Sequence, residues 1–160
     1  MFHSRSLRKG RVSVPGQIYL CTTSTISRRA LFRDWHLGRL LIKPMSWHDL
    51  NGHTTTFAYV VMPDHVHWLF ALGETQSLSR VMASMKKHSA KLVNQALVNQ
   101  ALRRSGPIWQ PGFPDHARRC DKEVEQVAWC VIHNPVKSGI VEDIQLYPLW
   151  DAKWLPAHSW

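Results

Sequence analysis

Pro63-Asp64-His65-Val66-His67-Trp68-Leu69-Phe70 decides the reading of this chain. These residues follow the apolar run Phe57-Ala58-Tyr59-Val60-Val61-Met62, so they read as a turn leading into a second strand. In an extended strand, side chains two apart point to the same face. His65 and His67 therefore share one face, while Val66, Trp68 and Phe70 point the other way into apolar packing. Two imidazoles side by side on a stiff strand suit a single divalent cation. In a chain with 10 histidines such a pair can also be incidental. Its flanks argue otherwise: they are apolar and Trp-rich, which puts the pair on a core strand, where a polar side chain needs a partner.

Working outward, the chain of 160 residues reads as one domain with a sizeable core. Lys and Arg number 20 against 11 Asp and Glu, a formal charge of +9, which favours polyanions, nucleic acid before an acidic membrane. No apolar stretch approaches the roughly 20 residues that a spanning helix needs. The basic N-terminus is not followed by an apolar signal core, so export is not expected. Cys21, Cys120 and Cys130 make an odd count without close pairing, which fits a reducing cytoplasm.

The pattern divides the chain into a basic arm (1–14), a domain (15–141) and a tail packed on it (142–160). Gln17–Thr23, after Pro15-Gly16, reads as the first strand. Leu37, Leu40, Leu41 and Met45 have helical spacing over Asp34–Asp49, with Pro44 expected to break or kink the helix. Ser77 is a candidate cap for a long helix with Val81, Met82, Met85, Ser89, Leu92 and Ala96 on its buried face. Within it Leu92–Ala96 is repeated at once as Leu97–Ala101, and five residues turn a helix by about 500°, so the copies present different faces. A strand is expected within Ile108–Cys120. A last helix, capped by Asp121, runs to about His133, where Asn134-Pro135 stops it. Gly139–Trp160 reads as an extended tail. The order of elements predicts an α+β, ferredoxin-like sandwich with a central antiparallel sheet and helices packed on it.

Gly16-Gln17-Ile18-Tyr19, Val60 to Trp68, Ile108 to Phe113, Asn134 to Val141 and Tyr147-Pro148-Leu149-Trp150 occur in one order along the chain. Together these segments resemble the REP-associated tyrosine transposases, a branch of the single-tyrosine HUH nucleases. The resemblance implies a DNA strand-transferase acting on hairpin or single-stranded DNA of repetitive palindromic elements, in the cytoplasm with the nucleoid. It implies Mg²⁺ or Mn²⁺ held by His65 and His67 and completed by Asn134. It also implies a tyrosine nucleophile four residues before that asparagine, where this chain has Cys130.

Residues at i and i+4 share a helix face, so Cys130 and Asn134 are both expected to look toward the histidines. A thiolate is a poor substitute for a phenolate at a hard phosphate centre, and it reaches less far. Three explanations stand open: a natural cleavage-defective relative, an altered copy, or another tyrosine as nucleophile. Of Tyr19, Tyr59 and Tyr147, the first two fall in strands, which leaves Tyr147 in a mobile tail. Asp64 either orients a histidine ring or is a plain turn aspartate. Phosphate contacts are expected from Arg8, Lys9 and Arg11 of the arm, Lys86, Lys87 and Lys91 of the long helix, and Arg118 and Arg119 of the fourth strand. Trp109 and Phe113 either stack on unpaired bases or pack in the core. The alternatives to an active transposase are a non-catalytic, sequence-specific DNA-binding module of the same fold and a metallohydrolase. The absence of a Glu base beside the pair counts against the latter. A monomer is favoured over a homodimer.

Overall fold

The hairpin turning at Pro63-Asp64 forms the middle of the sheet. It joins β2 (Thr54–Met62) to β3 (His65–Leu72), with a bulge between Thr56 and Ala58. β1 (Ile18–Ser24) lies antiparallel on the far side of β3, and β4 (His116–Arg119) pairs with β1 at one edge. β5 (Trp150–Ala152) pairs with β2 at the other edge, so the order is β4-β1-β3-β2-β5. The expected α+β architecture is present, and the first four strands follow the ferredoxin-like order. The computed structural model describes residues 14–100, 106–111, 116–120 and 123–153. The arm with Arg8, Lys9 and Arg11, and also Phe113 and Asp121, lie outside them.

Register assigns each side chain to a face. Val66, Trp68 and Phe70 are fully buried on one face of β3 and pack toward the helices α1 (Trp35–Arg39), α2 (Ile42–Leu50) and α3 (Leu78–Asn99). The Trp68 ring lies 6.3 Å from His48 of α2 and 4.3 Å from Phe70. The opposite face carries His65 and His67 with Val60, Met62 and Leu69, the last three buried. It is covered by α4 (Val124–Ile132), which packs across β2 and reaches β3 and β5. A further helical turn, α5 (Asn134–Lys137), follows at once. Asn134-Pro135 thus ends one helix and opens another, because proline in a first turn has no N–H to lose.

The helix expected over Asp34–Asp49 is divided at Leu40–Leu41 rather than at Pro44. Pro44 sits in the first turn of α2, where its missing N–H has no helical acceptor. Ser77 caps α3 by accepting from the Arg80 N–H at 3.2 Å. The buried stripe of α3 continues through Val93 and Leu97 instead of Leu92 and Ala96, advancing four residues per step from Val81. The two copies of the repeat differ accordingly: Val93 is buried while Val98 is exposed, and Asn94 pairs with both backbone groups of Gly106. Gly73, at the exit of β3, is required by close approach, since a Cβ there would lie 2.1 Å from the Gly52 carbonyl oxygen.

His48 is 2 % exposed, and its Nε2 has no hydrogen-bond partner among the described residues, while Nδ1 meets Nδ1 of His53 at 3.0 Å. Burial above all, then the neighbouring His53 and His88, pushes its pKa down to about 4. Between the ordinary histidine value of about 6.5 and that value, the unfolded chain takes up a proton that the folded one refuses. Stability is therefore expected to be full above pH ~6.5, to decline as pH falls toward 4, and to level off below. Urea denaturation across this range, with His48→Leu flattening the slope, is the check.

Candidate functional site

His65 and His67 open β3, beside the turn, and their register partners are Ser24 and Thr22 of β1 and Met62 and Val60 of β2. A slip of one residue would bury the rings and expel Trp68, so burial on the far face fixes their position. The Nε2 atoms converge to 3.1 Å, and the rings stand edge to face with centroids 4.8 Å apart.

Each ring is held from behind. Nδ1 of His65 lies 2.6 Å from Asp64 Oδ1, and Nδ1 of His67 lies 2.7 Å from Thr22 Oγ1. The other carboxylate oxygen of Asp64 accepts from Arg28 Nε at 2.9 Å, and Arg28 also donates to Ser24 Oγ at 3.3 Å. Asp64 is therefore an orienting acceptor and not a plain turn residue. Partial burial opposes its charge, but hydrogen bonds and charge from His65 and Arg28 outweigh this and hold its carboxyl below the usual value. Arg28 is placed by an unusual backbone: Ser27 and Arg28 both have positive φ, 54° and 52°. Two consecutive non-glycine residues in that region cost of order 1–3 kcal/mol each and belong typically to functional sites. Neither Thr22 nor Arg28 stands out in the sequence, because only strand register and a strained loop bring them here.

The contacts set the protons. A carboxylate only accepts, so with both rings neutral His65 carries its hydrogen on Nδ1 and presents a lone pair at Nε2. His67 then donates from Nε2 to His65 and accepts from the Thr22 hydroxyl at Nδ1. Were both Nε2 atoms to hold a cation, His67 would carry its hydrogen on Nδ1, where Thr22 can accept as readily as donate. With their Nε2 atoms 3.1 Å apart, the two rings could both face one divalent cation. No group of three His, Cys, Asp or Glu side chains that could hold a metal occurs among the described residues, so further ligands must be of another type. Two imidazole nitrogens with the other positions open are a donor set for a divalent cation, and not the four-ligand set of a closed structural zinc site.

Cys130 and Asn134 belong to the α4–α5 layer over the histidine face. Cys130 is exposed, and the Asn134 amide nitrogen donates to the Val131 and Cys130 carbonyls at 2.8 and 3.3 Å. This holds the amide nitrogen on the helix end. Trp129 is exposed and rests on His133 at 4.3 Å. None of the three tyrosines is presented as a nucleophile. Tyr19 and Tyr59 pair with Phe70 and Trp68, hence point to the helical face. Tyr147, expected in a mobile tail, is instead 3 % exposed, donates to the Val61 carbonyl, and has its pKa pushed up by burial to about 12.

The expected phosphate contacts do not form one surface. Arg118 pairs with Leu20 and lies on the histidine face, whereas Arg119 pairs with Tyr19, lies on the helical face, and bonds Gln17 at 3.1 Å. Lys86 donates to the Gln110 carbonyl at 2.9 Å; Lys87 and Lys91 are exposed on α3, across the sheet from the histidines. Trp109 is core: it packs on Phe32 and donates to Ser89 at 3.0 Å.

The family model described as "Transposase IS200 like" matches residues 13–128. A protein of Haemophilus influenzae named "Putative REP-associated tyrosine transposase" is 30% identical over 98 residues, covering 58% of this chain and 56% of its own length. The REP-associated tyrosine transposase of Escherichia coli is 32% identical over 95 residues, covering 57% and 50% respectively. The chain thus spans about half the length of the curated relatives it matches. A solved structure of a REP-associated tyrosine transposase bound to a REP hairpin superposes with a TM-score of 0.63 at 22% identity, covering 88% of this chain and 79% of that one. This last likeness supports the fold.

Nitrogen-15 spectra of the two rings at pH 8 test the proton arrangement. In chelator-treated protein His65 is expected as the Nδ1–H form and His67 as the Nε2–H form, with saturating Mg²⁺ converting only His67 to Nδ1–H. The same tautomer for both rings before Mg²⁺ would contradict the assignment.

Proposed function

The chain belongs to the IS200-like transposase family, and from that premise we propose that it binds hairpin DNA with a single-stranded flank but breaks and rejoins strands poorly. The carrying observation is the convergent Nε2 pair of His65 and His67, braced by Asp64, Arg28 and Thr22. Relatives named REP-associated tyrosine transposases support the DNA partner and the reaction class. His65, His67 and Asn134 would hold Mg²⁺ or Mn²⁺, which when bound polarises a phosphate oxygen. Arg28, half-exposed beyond its contact with Asp64, would meet a phosphate beside the pair.

In the reaction a side-chain oxygen forms a bond to phosphorus, the bond to the 3′ oxygen breaks, and that oxygen leaves with a proton. A phenol at position 130 would supply the attacking atom. Cys130 offers a shorter, softer sulfur, and Tyr147 is buried and harder to ionise. The sequence-specific, non-catalytic DNA-binding module remains as the second reading, and Cys130 is the observation that favours it.

Calorimetry with Mn²⁺ should register one site in the native chain and none in the His65→Ala, His67→Ala double variant. Retained binding would remove the metal assignment. A labelled hairpin with Mn²⁺, resolved on a denaturing gel, should give little covalent adduct with the native chain and a clear adduct with Cys130→Tyr. Because Cys130 is exposed rather than partly buried, the larger ring should cost little stability, within about 0.5 kcal/mol. Robust cleavage by the native chain, or a folded Cys130→Tyr that binds DNA and metal without adduct, would count against this reading.

A further inference from the structure

We propose a second nucleic-acid contact on the layer opposite the histidines: a groove beside α2 that takes one unpaired nucleotide, its base against Trp47 and its phosphate on Arg39 and Lys43. The groove, of about 590 Å³, is lined by Arg39, Ile42, Lys43, Trp47, Leu50 and Pro148. Its lining includes two exposed apolar side chains, Trp47 at 48 % and Leu50 at 86 %. The indole is not loose: its ring centroid lies 5.0, 5.3 and 6.4 Å from those of His48, His53 and His88, so it stands braced from one side. Neither Arg39 nor Lys43 makes an ion pair among the described residues.

The chemistry selects the occupant. A fixed, exposed aromatic plane suits a flat base, and two cations at the same groove suit the anion to which that base is linked. Charge complementarity with a +9 chain points the same way. His88 of α3 touches the braced side of Trp47, and exposed Lys91 lies one turn further along α3, which extends the basic track across the helical layer. This accounts for Lys91, which the histidine face cannot use. The inference rests on the reading above only for the partner being DNA; its geometry is independent of the metal and of Cys130.

Fluorescence anisotropy with a labelled dT12 strand and with an abasic strand of equal length tests the groove, with the flanked hairpin measured in parallel. Native protein is expected to prefer dT12 over the abasic strand by roughly tenfold. Trp47→Ala should abolish that preference, and Trp47→Phe should restore most of it. Arg39→Glu with Lys43→Glu should weaken both strands and flatten the slope of log affinity against log salt by about 0.7, the share of the one phosphate that the two cations hold. Equal binding of the two strands by native protein, or dT12 binding unchanged in all variants, would overturn the groove. So would sedimentation showing a dimer that Trp47→Ala dissociates, since a second copy would then be the occupant. Loss of hairpin binding by native protein, with dT12 discrimination intact, would instead strike the proposed function and leave the groove standing.

Discussion

The burial of Trp68 and Phe70 beneath α1–α3 governs what the rest of the molecule can do. Both are fully buried, and deleting a side chain of this size from a core costs about 3–5 kcal/mol, a large share of any domain's stability. Their packing locks the register of β3 between β1 and β2, and strand periodicity then delivers His65 and His67 to the other face. Thr22 arrives opposite His67 through the same register. The site's precision is thus inherited from apolar packing on the reverse of the sheet, and a core substitution there would disturb the histidines without touching them.

The sheet also separates two kinds of surface. The histidine face carries polar side chains at its open end and is covered elsewhere by α4, while the helical face is thick and buries its aromatics. Alternation along β4 divides neighbouring arginines between these surfaces, so Arg118 and Arg119 cannot serve one phosphate track.

Residues after α5 complete the fold. Tyr147 bonds the Val61 carbonyl, Trp150 donates to the Ile144 carbonyl at 2.7 Å, and β5 satisfies the outer edge of β2. Exposed strand edges invite unwanted pairing, and a short edge strand from the chain's own tail is one way to close them. That structural duty buries the Tyr147 hydroxyl against the Val61 carbonyl and keeps it from being presented as a nucleophile.

From sequence alone, period-two alternation around His65 and His67, Ser77 before an apolar stripe, and Pro63-Asp64 between two apolar runs are local signals. Each is read within a few residues, so strands, long helix and hairpin were legible, and with the ordered motifs so was the family. Thr22, Arg28, the core role of Trp109 and the burial of Tyr147 were not. Their contacts span 45, 36, 20 and 86 residues of chain, and no local pattern encodes a partner at such separation. The drift of the α3 stripe to Val93 and Leu97 and the division of Lys91 from the histidine face have the same origin. Sequence determined which residues alternate and which helices begin where; tertiary packing decided which alternating face is covered, and thereby which polar groups meet.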